Sequence, residues 1–267
     1  THSSMAPSRT HILPASRLLL LLNAAGWGFK CAESTNPRSD NGSIPLIVAN
    51  GCFWGRQHIF AHDLELQTLN RTSEEVTAIA GYFGGSGGNK RVCYDNSKNI
   101  SVYSQLGHAE AVQLEVRSEA ELSVALQMYF ASFVELSPGI FGREDYIDRG
   151  PQYRSIVGVP GGAKGPYMPL VRAANLHNMT LVDGAEVKQV DTLGKSLVYV
   201  LPYDGEGDNH LSDPKLAYRF SQAELCLQFH DNQTSTYPET YHALREALQA
   251  TGRLVATTCP SPYPCEG

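Results

Sequence analysis

Residues 44–55 read Ile-Pro-Leu-Ile-Val-Ala-Asn-Gly-Cys-Phe-Trp-Gly. The apolar, β-branched run Ile44–Ala49 predicts a buried strand. Gly51 and Gly55 frame a turn around Cys52. Phe60 and Leu64 then follow Phe53 at spacings that place all three on one helix face. The stretch therefore predicts a strand that delivers a cysteine to the N-terminus of a helix. Free backbone N–H groups and the helix dipole there favour a thiolate, the nucleophilic form of sulfur. Phe53 and Trp54 beside it suit an apolar binding surface. The competing reading is a buried, inert cysteine in a strand-turn-helix.

Working outward, 267 residues with 42% hydrophobic content can build one large core with extensions, or two small domains. A net charge of −6 without a basic patch speaks against a nucleic-acid partner. Hydrophobic runs after residue 35 are too short to span a bilayer. The first 32 residues read as a targeting segment. No acidic residue occurs between Met5 and Lys30, Arg9 and Arg17 precede Leu18–Leu22, and Ala24 and Ala25 follow. This is the pattern of a signal peptide, with a mitochondrial transit peptide as the alternative. Five Asn-x-Ser/Thr sequons, at Asn41, Asn70, Asn99, Asn178 and Asn232, favour the secretory or extracellular route and a glycoprotein.

Residues 33–44 read as a polar linker, 45–230 as the main domain, and 231–267 as a C-terminal helix with a Cys- and Pro-rich, mobile tail. Glu75–Ala80 predicts a strand ending at the Gly-rich turn 81–85. The alternation Val112, Leu114, Val116 predicts a half-buried strand. Leu122, Leu126, Tyr129, Phe130 and Phe133 form a helical stripe, and 135–153 reads as a long loop. Ile156–Val159 and Leu197–Leu201 are further strands. In the tail, Thr236 is placed to cap a helix with Tyr241, Leu244 and Leu248 on one face, ended by Gly252. Strands interleaved with helices predict an α/β or α+β chain. Nine scattered histidines and no C-x-x-C pair predict no metal site.

Several segments then fall into one ordered pattern: Gly51-Cys-Phe-Trp-Gly55, Gly81-Tyr-Phe-Gly-Gly85, Gly107-His-Ala-Glu110, Asp148 and Gly150, and Gln152-Tyr-Arg-Ser155. A weaker piece is Phe220, Ala223, Glu224 and Gln228. In this the sequence resembles the A-type methionine sulfoxide reductases, the peptide-methionine (S)-S-oxide reductase family. The resemblance covers about residues 45–230. It implies an α+β fold: a two-layer sandwich with a mixed sheet, flanking helices and a long coil-rich C-terminal part. It also implies an oxidoreductase of protein repair and oxidative stress. Such an enzyme takes free or protein-bound methionine-S-sulfoxide, binds no cofactor, is recycled by an external thioredoxin-like dithiol, and works as a monomer. Cys52 would attack the electrophilic sulfoxide sulfur and become a sulfenic acid. Phe53 and Trp54 would hold the substrate methyl. Tyr82 and Tyr153 would donate to the sulfoxide oxygen, where negative charge builds. Asp148 would orient the polar side of the pocket. Outside the resemblance, Tyr82 reads equally as a packed turn residue, Asp148 and Arg154 as a loop ion pair, and His108 as a structural histidine.

The chain departs from the pattern at Gln57. The resemblance implies a glutamate there acting as general acid, and an amide binds but cannot deliver a proton. That opens an alternative: a catalytically impaired family member serving as a methionine-sulfoxide-binding module. Pro151 replaces the usual threonine, and Cys226-Leu227 replaces a Tyr-His pair. Cys259, Cys265 and Cys226 are the candidate resolving cysteines, with a structural 259–265 disulfide as the competing reading. A cysteine hydrolase pairing Cys52 with His58 or His108 is a third reading.

Overall fold

In the computed structural model, residues 42–86, 92–95, 101–205, 218–231 and 236–259 are described. The targeting segment, nearly all of the linker, Cys265 and the sequons at Asn41, Asn99 and Asn232 lie outside them. Asn70 and Asn178 are exposed.

The run that opens the sequence reading becomes β1 (Ile44–Ala49), buried along its whole length. A strand apolar on both sides needs neighbours on both edges and cover on both faces. It has β5 (Ala109–Val116) on one edge and β8 (Ile156–Val159) on the other, both antiparallel. Four further strands complete this sheet: β2 (Ile79–Phe83), β9 (Thr180–Asp183), β10 (Leu197–Pro202) and β11 (Ser221–Gln222). The order is β11-β2-β5-β1-β8-β10-β9. β8, β10 and β9 run parallel while the other pairings are antiparallel, so the sheet is mixed, as expected. Two small ladders lie apart from it: β3 (Val92–Cys93) with β4 (Ser101–Val102), and β6 (Phe133–Ser137) with β7 (Ile140–Arg143).

After Cys52 the chain enters α1 (Phe53–Gln57) and continues without a break as a π-helix, His58–Thr68. Its apolar face, Phe60, Ala61 and Leu64, is buried. The predicted stripe becomes α2 (Glu119–Ala131), whose Ser118 side chain accepts from the Glu121 amide as an N-cap. The short α3 (Met168–Ala174) packs against α2. At the C-terminal end, α4 (Glu239–His242) and α5 (Leu244–Ala250) bury Tyr241, Leu244 and Leu248 in the same core, and Gly252 follows at φ +73°. The described residues all fall within one compact unit.

Several boundaries differ from the pattern reading. Glu75 closes a 3-10 turn, Ser73–Glu75, through a capping box with Thr72, so the strand starts at Ile79 instead. That strand runs through the Gly-Tyr-Phe segment: Gly81 lies so close to the Ser221 carbonyl that a Cβ would collide with it. Phe133 leaves the helix and opens the β6–β7 hairpin, which occupies part of the expected loop. β5 is nearly all buried, because both edges are paired and both faces covered. Pro238, not Thr236, precedes the C-terminal helix.

Candidate active site

Cys52 sits at the N-cap of α1, partly exposed, held by the turn at Gly51. Gly51 has φ +83° and donates its amide to the Tyr153 carbonyl at 3.1 Å, which ties the nucleophile turn to the Gln152–Ser155 segment. The predicted helix N-terminus is present, but the predicted thiolate is not. Burial and the nearby carboxyls Glu110, Asp148 and Asp145 push the thiol well above its ordinary range, against one helpful backbone N–H from Trp54. Cys52 therefore rests as a protonated thiol.

The carboxyl beside it is Glu110. Strand pairing explains its position: the β2–β5 register sets Tyr82 opposite Glu110, so both side chains leave the same face of the sheet. Glu110 is 2% exposed. It accepts from the Phe53 amide at 3.0 Å and from the Tyr103 hydroxyl at 3.0 Å, and the Cys52 thiol is hydrogen-bonded to it. None of these partners is a cation. Burial consequently pushes its pKa up to about 8, so it carries a proton at neutral pH.

The tyrosines divide the polar wall. Tyr103 stacks on Tyr82 at 4.7 Å and on Tyr94 at 5.5 Å. Tyr153 is half-buried and hydrogen-bonded to Tyr103 and to the Asp148 carboxyl. Tyr82 is fully buried and spends its proton on Glu224 at 2.8 Å. Its expected role as a donor to substrate is therefore corrected: in this arrangement its hydroxyl is committed, and Tyr103 and Tyr153 are the phenols at Glu110 and Asp148.

Asp148 shares a hydrogen bond with Asp145, and burial together with that neighbour raises it to about 6. Against burial, Asp145 is held low by the Asp148 side chain and by the amides of Asp148, Ile147 and Cys52, which it accepts. The expected Asp148–Arg154 ion pair is absent among the described contacts. Arg154 instead donates to the carbonyls of Gly84 at 3.0 Å and Gly107 at 2.9 Å, and to Gln189. It thus clamps the two Gly-rich motifs to the Gln-Tyr-Arg-Ser segment. Pro151 opens the 3-10 turn Pro151–Tyr153, where its missing N–H costs nothing.

Gln57 is the main correction. It is fully buried, and its amide donates to the Ala78 carbonyl at 3.2 Å and to Gln228 Oε1 at 2.9 Å, while its oxygen accepts the Phe229 amide at 2.6 Å. It stitches α1 to β2 and to the 228–229 segment and does not bind substrate. Phe53 is buried against Tyr82 with ring centroids 6.0 Å apart, and Trp54 is covered by the His230 ring at 4.3 Å. His108, neutral through burial that lowers it to about 4, accepts the Gly85 amide at 3.3 Å. His58 stacks on His62 and Tyr237. Neither histidine is hydrogen-bonded to Cys52, which removes the hydrolase pairing.

Of the resolving candidates, Cys265 lies outside the described residues, and the other two are not free thiols. Cys259 is joined to Cys93, with Cα atoms 5.7 Å apart, so the tail up to residue 259 is pinned, not mobile. Cys226 is disulfide-bonded as well. Among the described residues Cys52 is the free cysteine. The pattern reading placed Glu110 and Glu224 in the motifs without giving either a role, and it missed Tyr103 and Asp145. The available signal for Glu110 was a carboxylate between alanines at the start of an apolar strand.

Residues 45–161 match the family model described as peptide methionine sulfoxide reductase. None of the curated protein sequences matches this chain. Among solved structures, methionine sulfoxide reductase A of Corynebacterium diphtheriae is 18% identical, with 76% of this chain and 82% of that chain covered at a TM-score of 0.42. Mxr1 from Saccharomyces cerevisiae in reduced form is 16% identical, with 78% and 95% covered at a TM-score of 0.39. The match over 45–161 contains every motif from the nucleophile turn to Ser155.

Proposed function

We propose that Cys52 and Glu110 are the nucleophile and general acid of a methionine sulfoxide reductase, on the premise that the chain, through residues 45–161, belongs to the peptide methionine sulfoxide reductase family. It is an oxidoreductase, and oxidised methionine is its substrate. The observation that carries the mechanism is a buried carboxyl, protonated at neutral pH, hydrogen-bonded to the one free thiol among the described residues.

The sulfoxide enters with its oxygen toward Glu110 and Tyr153. Glu110 passes its proton to that oxygen as Cys52 sulfur attacks the sulfoxide sulfur, and the thiol proton returns to the carboxylate. The Glu110 proton then helps the oxygen leave as water, giving a Cys52–methionine sulfonium, and water attacks the Cys52 sulfur, breaking that S–S bond to leave methionine and a Cys52 sulfenic acid while its spare proton returns to Glu110. Placing the proton on oxygen removes the charge that attack would build there. Asp148 holds the Tyr153 hydroxyl toward this corner. Phe53 and Trp54 supply the apolar side.

Cys93, Cys259 and Cys226 are already oxidised, so an external thiol attacks the sulfenic acid, expelling water and forming a mixed disulfide. A second thiol releases the free Cys52 thiol and an external disulfide. A thioredoxin-like dithiol supplies both sulfurs. Disulfides away from the nucleophile fit an oxidising compartment and support the secretory route. The S-epimer and the monomeric state belong to this proposal too.

The binding-module alternative rested on Gln57 having lost the acid. With the acid at Glu110, that ground is gone. The deciding experiment follows reduction of dabsylated methionine-S-sulfoxide by dithiothreitol, with the R-epimer in parallel. Turnover confined to the S-epimer and lost in Cys52→Ser supports the proposal. Turnover that persists in Cys52→Ser overturns it.

A further inference from the structure

The π-helix His58–Thr68 places His58, His62 and Asp63 on one surface turn. In an i→i+5 helix the wider turn brings residue 63 back over residue 58, while 62 stays adjacent. One donor atom from each of the three residues lies within 4.8 Å of the other two. Donors around a tetrahedral zinc with ligands at 2.0–2.1 Å are about 3.3 Å apart, so closing on an ion asks for rotamer shifts of about 1 Å. His62 and Asp63 are already hydrogen-bonded, Nδ1 to Oδ1 at 2.7 Å, a contact that an ion between them would replace. His62 and Asp63 side chains are 27% and 37% exposed, which leaves room for an ion and a water.

His58 is held ready. Its ring is fixed between His62, at 4.8 Å, and Tyr237, at 3.8 Å, with no hydrogen bond to either nitrogen among the described residues. Two imidazoles and one carboxylate suit a transition-metal dication far better than calcium or magnesium, which demand oxygen ligands.

We propose that His58, His62 and Asp63 form a surface site for a zinc-type dication, completed by water. The scatter of histidines along the chain hid this pair, although its i, i+4 spacing is visible once the segment is known to be helical. The site lies on the same continuous helix as Cys52, so an occupied site would also brace the nucleophile helix against the Tyr237 segment.

The test is zinc titration of the full, non-reduced chain against a chromophoric chelator, in a Cys52→Ser background so that the catalytic thiol is no ligand. One zinc per chain is expected, with affinity weakened at least about tenfold by His62→Gln and by Asp63→Asn. Cobalt(II) should give a d–d spectrum in the parent that both variants lose. Circular dichroism of each variant guards against misfolding, and Asp63→Asn, on the exposed side, is the milder change. No stoichiometric zinc, or zinc bound equally by both variants, overturns the proposal.

Discussion

Two glutamates, Glu65 and Glu110, are both buried beneath the nucleophile helix region, at 0% and 2% exposure, and they serve opposite ends. Glu65 is pushed up by burial but pulled back by Thr77, by Arg71 and by the Thr77 and Ala78 amides. Its two oxygens accept four hydrogen bonds, from Arg71, from the Thr77 hydroxyl and amide, and from the Ala78 amide, with the Arg71 contact an ion pair whose arginine side chain is 1% exposed. Glu110 meets only neutral donors and keeps its proton up to about pH 8. Burial raises both, but Glu65 is tied down by Thr77, by an ion pair with Arg71 and by two backbone amides, whereas Glu110 has only neutral donors, one of them the Cys52 thiol.

The largest effect that would break this comparison is at Glu110. Glu110→Gln keeps the hydrogen-bond frame and removes the proton, so kcat should fall about 10²–10⁴-fold with an unchanged denaturation midpoint. In the parent, kcat should decline as pH rises through about 8, because the group is active in its protonated form. A full rate at pH 9, or an active Glu110→Gln, would end its role as acid. At Glu65 the pattern should invert. Glu65→Gln leaves Arg71 with Glu121 alone and should cost about 3 kcal/mol in urea unfolding, with kcat of the folded fraction unaltered.

Gln57→Glu sharpens the contrast further. A third buried carboxyl there, facing the Gln228 and Ala78 oxygens, loses donors and gains charge repulsion. It should cost about 1–3 kcal/mol of stability and raise no rate. A gain in kcat would return the acid to position 57. The smallest expected change comes from His108, held neutral with its pKa lowered to about 4. The unfolded chain binds a proton there below about 6.5 and the folded chain does not, so stability falls as pH drops from 6.5 toward 4. Between pH 7 and 5 the loss should be about 2 kcal/mol by urea midpoint, and His108→Asn should flatten it.

Much of the frame was legible in residues alone. Strands β1 and β8 fall where their apolar runs predict, and the face formed by Tyr241, Leu244 and Leu248 is buried as its spacing requires. What failed were places where a side chain's partner overrode the local apolar pattern, near in sequence for Glu75 and distant for Cys259 and Tyr82. Glu75 reads as strand until its capping box with Thr72 is seen. Cys259 reads as a free tail thiol until the fold sets it against Cys93. Tyr82 reads as a donor to substrate until Glu224, 142 positions away, takes its proton.

The sequence by itself determined the nucleophile turn, the order of the motifs and the family model they match. These are features of short segments, written in the residues next to one another. Only the tertiary structure decided which carboxyl meets the Cys52 thiol, which described cysteines are already paired and which histidines meet. Each of those depends on strand register or on contacts between residues far apart in the chain. The protonation of Glu110 in particular follows from what surrounds it: no cation, little water, and a thiol. A carboxylate's surroundings are set by the fold, and its chemistry follows from them.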